Sequence, residues 1–149
     1  MEHDNWKGIM LTKNFSAKEI THSPTAIKLG IDNTLPDIYY GNAQNLAKYV
    51  LEPIRQYFGV PFSPLSWYRC PKLNEVVGGS KTSDHMIASA VDIRIKSISL
   101  MALAEYIRDN LQFDQVILEP TWVHISFRKD NNRNEVLTKT ENGYVKGFI

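Results

Sequence analysis

Three residues have the types and spacing to share one chemistry: His85, Asp92 and His124. The first two fall within Ser80-Lys81-Thr82-Ser83-Asp84-His85-Met86-Ile87-Ala88-Ser89-Ala90-Val91-Asp92. Asp92 stands among β-branched residues, Val91, Ile93 and Ile95, and His124 sits in the run Trp122-Val123-His124-Ile125-Ser126. Two imidazoles and one carboxylate form a donor set used by catalytic zinc, which keeps a fourth position for water. Such a centre is net positive, lowers the pKa of bound water toward about 7 and polarises a carbonyl. The expected cofactor is one Zn2+ ion, although ligand types alone leave manganese or iron open. A histidine and an aspartate in separate places are more often simply hydrogen-bonded or exposed, and spacing alone leaves that reading open as well. His3 and His22 are not candidates, since one lies in an N-terminal arm and the other at a joint between helices.

The elements that position these groups follow from alternation along a strand. In the second run Trp122, His124 and Ser126 share one face, and Val123, Ile125 and Phe127 the other. In the first, Ala90, Asp92 and Arg94 oppose Val91, Ile93 and Ile95. Each polar candidate therefore lies opposite an apolar row and can face a cleft while its strand is anchored in a core. A straight strand cannot bring both His85 and Asp92 to one ion, so a bend between them is required.

Around these strands the chain reads as follows. Residues 1–14 form a possible N-terminal arm. Ser16 to Glu19 is a capping box behind Phe15, and Ser23-Pro24 starts a second short helix closed by Gly30. Residues 30–42 read as a long loop able to wall a cleft or merely to connect. From an Asn42 cap, Ala43, Leu46, Ala47, Val50, Leu51, Ile54, Tyr57 and Phe58 keep a helical period to Gly59, with a kink expected near Pro53. An edge strand is expected at Phe62–Trp67, a short helix after Pro71, and a helix capped by Ser99 that ends near Asn110. Strands are expected at Asp114–Glu119 and Trp122–Phe127. A polar loop over 128–135 then leads to a closing hairpin with an Asn-Gly turn. Short strand-to-strand loops favour antiparallel pairing, so the expected class is α+β, an antiparallel sheet with helices packed on one side.

Composition bounds the function. The 149 residues suit a single domain, and 43% hydrophobic with 22% charged residues are ordinary globular values. A formal net charge of +1 gives no electrostatic case for nucleic acid or an anionic membrane. No apolar run of spanning length occurs, so no membrane insertion is expected. The first ten residues lack the apolar core of a secretory signal. Cys70 is the only cysteine, which excludes an intrachain disulfide and a cysteine-rich metal site.

The ordered motifs resemble one family. Ser83-x-His85-x-x-Ala88-x-Ala90-x-Asp92, followed by Trp122-Val123-His124, is similar to the S-x-H-x-x-G-x-A-x-D and W-x-H patterns of the zinc D-Ala-D-Ala carboxypeptidases. That family includes phage endolysins that cut L-Ala-D-Glu bonds in peptidoglycan. Ser66-Trp67-Tyr68-Arg69-Cys70-Pro71-x-Leu73-Asn74 through Gly78-Gly79-Ser80 resembles its S-x-Y-R-S-P-x-L-N segment ending in G-G-S. Phe15-Ser16-x-x-Glu19 and Phe113-Asp114-Gln115 resemble the phage-type branch. Two departures stand out: Ala88 replaces the family glycine, and Thr121 occupies the position of the usual catalytic carboxylate.

The resemblance implies a Hedgehog/D,D-peptidase fold and a zinc peptidase of peptidoglycan stem peptides, acting as endopeptidase or D,D-carboxypeptidase. It implies His85, Asp92 and His124 as metal ligands. Glu119 is the expected general base, with Asp114 as runner-up. Arg69 is expected to stabilise the oxyanion or to clamp a substrate carboxylate. Ser83, Trp122 and Tyr68 are expected at the substrate. A monomeric endolysin, held in the host cytoplasm until released to the wall, fits this picture. The alternative is a non-catalytic zinc-binding module of the same fold, kept open by the displaced acid.

Overall fold

The computed structural model describes residues 9–149. His3 and most of the expected arm lie outside that range. From Ile9 onward the chain is packed: the Ile9 carbonyl accepts from Ala17 N–H at 2.8 Å, and Leu11 joins the core. Half of the expected capping box forms: Ser16 N–H donates to the Glu19 carboxylate at 2.8 Å ahead of α1 (Lys18–Thr21), but the N-cap position falls at Ala17, and the Ser16 hydroxyl donates to the same carboxylate at 3.2 Å instead of accepting from a helix N–H. Ser23 Oγ accepts from Ala26 N–H to cap α2 (Pro24–Leu29), and Gly30, at φ +68°, ends it. Residues 31–36 do not wall the cleft described below. Asn33 braces instead, donating to the carbonyls of Thr21 and Tyr68 and accepting from Cys70 N–H.

The apolar period over 43–58 gives one long helical rod. It begins earlier than an Asn42 cap would allow, at a 3-10 turn (Asp37–Tyr39), and runs through α3 (Tyr40–Leu46) and α4 (Glu52–Phe58) to Gly59. Between them, Ala47–Leu51 is π-helical. Pro53 has no N–H to give the preceding turn and its ring crowds that turn, so the helix widens there. Asn42, inside the rod, donates its Nδ2 to the Ile87 carbonyl at 3.0 Å and ties the rod to the segment carrying His85.

Two further helices, α5 (Pro71–Val76) and α6 (Leu100–Asn110), begin at caps: Cys70 Sγ accepts from Leu73 N–H, and Ser99 Oγ from Ala102 N–H. Among the described residues no helix is long and apolar enough to cross a membrane.

The described residues form one five-stranded sheet, β1 (Ala90–Ile93), β2 (Gln115–Leu118), β3 (Val123–Ser126), β4 (Glu135–Thr140) and β5 (Gly143–Lys146), in the order β1-β3-β2-β4-β5. The class is α+β as expected, but the sheet is mixed. β2 and β4 run parallel, while the other pairs are antiparallel. The reason is spatial. β3 returns beside β2 and its outer edge is taken by β1, so β4 can join only the free edge of β2. The connection after β3 emerges beside the start of β2 and therefore sends β4 in the same direction. Asp114 pins this crossing: its carbonyl accepts from Glu135 N–H at 3.0 Å, and its carboxylate from Arg133 N–H at 3.0 Å.

One sheet face is apolar: Val91, Ile93, Val116, Val123 and Ile125 are fully buried and belong to one core with Leu46, Val50 and Leu51 of the rod and Leu103 and Ile107 of α6. The opposite face carries Asp92, His124, Ile117 and Glu119 and stays open. The expected strand over Phe62–Trp67 is reduced to a single bridge, Ser66 to Asp92. Pro61 and Pro64 lack the N–H groups a ladder needs. That bridge still fixes Asp92 by its backbone, from Ser66 on one side and β3 on the other.

Candidate metal centre and cleft

The required bend is present. Ser83 caps a 3-10 turn (Asp84–Ile87) by accepting from His85 N–H at 3.2 Å, and Ala88 then turns the chain at φ +61°. Left-handed backbone costs a non-glycine residue about 1–2 kcal/mol. Its buried methyl group returns part of that cost, so alanine can serve where the family pattern has glycine. Beyond the bend, β1 places Asp92 directly opposite His124 of β3.

The three side chains meet at one point. Asp92 Oδ1 lies 3.2 Å from His85 Nε2 and 3.0 Å from His124 Nδ1. The ligand atoms the three residues offer lie within 4.8 Å of one another. His85 is 1% exposed, and its Nδ1 lies 2.6 Å from the Trp67 carbonyl. A carbonyl only accepts, so the Nδ1 proton belongs there and the Nε2 lone pair of the neutral ring faces Asp92. Burial disfavours the charged ring and lowers the His85 pKa, against the pull of Asp92. Burial alone would raise Asp92, but His85 and His124 hold its carboxyl well below the ordinary range. A lone pair facing a carboxylate oxygen is an arrangement that a cation satisfies. The donor set therefore fits a zinc ion.

Arg69 locks the second carboxylate oxygen. Its Nη2 donates to Asp92 Oδ2 at 3.2 Å, its Nε to Ser66 Oγ at 3.1 Å and its Nη1 to Asn74 Oδ1 at 3.0 Å. Burial lowers its pKa from the ordinary arginine value, and Asp92 counters that effect. Asn74, 3% exposed, also donates to the Ser80 carbonyl at 2.8 Å. Gly79 passes between: a Cβ there would stand 2.1 Å from Asn74 Oδ1 and 2.7 Å from Arg69 Nη1. Gly79→Ala is thus expected to cost about 1–3 kcal/mol and, through Arg69 and Asp92, to weaken zinc binding about 10–100-fold. Urea unfolding and a zinc titration measure the two effects. Unchanged zinc affinity would mean that this latch does not orient Asp92.

The triad opens into a cleft of about 570 Å³ lined by Arg69, Ser83, Glu119 and Trp122 and by the open face of the sheet. Glu119 follows β2 two residues after Ile117, which is in register with His124. Its N–H donates to the Trp122 carbonyl at 3.0 Å, closing the turn that brings both residues to the cleft. Burial raises its pKa, and its charge is coupled to those of His124, Asp92 and Lys139.

Two expectations need correction. Tyr68 is 4% exposed, lies in the core beside Tyr39 and does not reach the cleft. It faces inward because Arg69, its neighbour, turns to Asp92. Burial pushes its phenol up to about 12. Asp114 is no candidate base: it is fully buried and bound by Arg133 Nη2 at 2.8 Å, outside the cleft lining.

Burial raises the Asp114 pKa, but the hydrogen bonds of Arg133 and the charge of Arg128 outweigh it and the net shift is downward. A depressed carboxyl contributes stability that is present above the ordinary aspartate pKa of about 3.9 and is lost as pH falls below it. Arg133→Gln is therefore expected to flatten the fall in urea midpoint below about pH 4. An unchanged acid limb would place that stability elsewhere.

Sequence reasoning missed Asn74 as a latch and Gln115, Ile117, Arg128, Arg133, Leu137 and Tyr144 as cleft lining. The signal for Ile117 was available in the alternation from Glu119. Leu137 and Tyr144 depend on the parallel β2–β4 pair, which no local pattern encodes.

A His-Asp-His set, with His85 buried and His124 half-buried, opening into a cleft that carries a further carboxylate is the kind of site hydrolytic metalloenzymes use. The family model described as Peptidase M15 matches residues 13–126, most of the chain, and the chain belongs to that peptidase family. A search of the curated proteins finds no match.

Proposed function

We propose that this protein is a zinc-dependent peptidase that hydrolyses peptide bonds in peptidoglycan stem peptides, as an endopeptidase or D,D-carboxypeptidase, in the manner of a phage endolysin. The observation that carries this reading is the convergence of His85, Asp92 and His124 in the same cleft as Glu119, within a chain of a peptidase family. His85, Asp92 and His124 would hold the ion. When bound, zinc supplies Lewis acidity, which polarises a substrate carbonyl and acidifies water.

The other roles fall to the chain. Glu119, with its pKa raised by burial, takes a proton from the attacking water and returns it to the leaving amine. The Trp67 carbonyl fixes the His85 tautomer, and Arg69 fixes the rotamer of Asp92. A guanidinium has five N–H donors. Among the described residues three are engaged, which leaves one on Nη1 and one on Nη2 for an oxyanion or a substrate carboxylate. Ser83 shapes the turn under His85, and Trp122 walls the cleft.

The test is hydrolysis of purified peptidoglycan with and without a chelator, followed by mass spectrometry of the muropeptides. New amino groups that appear only with zinc, and recover on its re-addition, are expected. Their absence at high protein concentration would leave a non-catalytic module as the better account. The products name the bond.

A further inference from the structure

The family match ends at residue 126, but the cleft does not: its lining continues through Arg128, Arg133, Leu137 and Tyr144. Asp92 pairs with His124, His124 with Ile117 and Ile117 with Leu137, so one cross-strand row runs over the open face. Neighbouring strands lie about 4.8 Å apart, which puts Leu137 two strands, about 10 Å, from His124; Tyr144 of β5, opposite Lys139, lies one strand further and two residues along from that row. An extended peptide advances about 3.3 Å per residue, so this floor accommodates an arm of about three residues beside the metal centre.

Two arginines edge the floor, and their contacts differ. Arg133 is committed to buried Asp114, by its N–H at 3.0 Å, Nε at 3.2 Å and Nη2 at 2.8 Å. Arg128 is held loosely: its Nη2 lies 3.5 Å from Asp84 and its Nε 3.5 Å from Asp114, and its side chain is 45% exposed. Good guanidinium–carboxylate hydrogen bonds are about 2.7–2.9 Å. Arg128 therefore has contacts to improve when a better-placed carboxylate arrives, and its planar fork can take one with two parallel bonds.

Resting on the peptidase reading, we propose that Arg128 is a specificity residue. It binds a carboxylate on the peptide arm that lies across Ile117 and Leu137 toward Tyr144, so that peptides acidic on that side of the reacting bond are preferred. Asp84 holds the guanidinium until the substrate carboxylate replaces it.

The experiment uses the zinc-loaded protein and a panel of acidic peptides in which each carboxylate in turn is exchanged for its amide. Wild type and Arg128→Gln are compared. One exchange is expected to lower wild-type kcat/KM about tenfold or more and to leave Arg128→Gln indifferent at that position. Arg128→Lys, which keeps the charge without the fork, should recover part of the preference. Parallel losses in wild type and Arg128→Gln at every position would overturn the subsite. Circular dichroism checks the fold of each variant. If wild type cuts no peptide, it is the peptidase reading that fails. Calorimetric titration of the same panel then decides the subsite by itself: an acid-over-amide preference lost in Arg128→Gln supports it, and equal affinities or no binding overturn it.

Discussion

Glu119→Gln is expected to lower kcat/KM on peptidoglycan fragments by about 10²–10⁴-fold while zinc still binds at one ion per chain. The amide keeps the size and the hydrogen-bonding reach of the side chain but cannot take a proton. Glu119 is not among the converging donor atoms, so its loss separates proton transfer from metal binding. Burial raises its pKa; His124 and Lys139 oppose that rise and Asp92 adds to it. A general base works when ionised, so activity is lost as pH falls through this raised value. The residual activity of the variant should lack that acid limb. Turnover above about a tenth of wild type would place the base elsewhere, given the range expected for such a group.

Asp92→Ala is expected to abolish stoichiometric zinc binding and to destabilise the metal-free protein by about 3–5 kcal/mol. Asp92 is 8% exposed and serves three partners, Arg69, His85 and His124. Its removal leaves the Arg69 guanidinium, 13% exposed, without its counter-charge. Zinc titration and urea unfolding in chelator measure the two losses. Binding of zinc within about tenfold of wild type would remove Asp92 from the ligand set, since a lost first ligand should cost more than the 10–100-fold of a supporting residue. In wild type the ion should raise the unfolding midpoint in proportion to RT ln(1 + [Zn]/Kd), and chelation should reverse that gain.

These expectations rest on features of unequal legibility. Ser16 and Glu19, Ser23 and Pro24, and Ser99 each announce a helix start because a cap is a contact within a few residues. The open-face placement of Asp92 and His124 is equally local, since a pleated strand alternates sides whatever it packs against. The need for a bend after His85 also followed from chain geometry, and Ala88 supplies it. Sequence adjacency to Arg69 does not say which of two neighbours turns toward the cleft, so the burial of Tyr68 is visible only in the folded chain. The partner that occupies Asp114, Arg133, lies nineteen residues away across a strand crossing, beyond the reach of any local pattern.

The chain by itself therefore determined the local elements, the α+β class and the strand face on which Asp92 and His124 lie, because each depends on contacts or periodicities spanning a few residues. Tertiary structure decided the rest. It set the parallel seating of β4, since only the free edge of β2 remained, and with it the floor from Ile117 to Leu137 and Tyr144. It bound Arg69 to Asp92 through a latch that needs Gly79 to lack a side chain. It also brought Glu119 to the cleft of His124 through the turn at Pro120 and Thr121, a position that spacing along the chain could not assign. Such contacts join residues far apart in sequence, and their geometry exists only once the core has closed around the apolar face of the sheet.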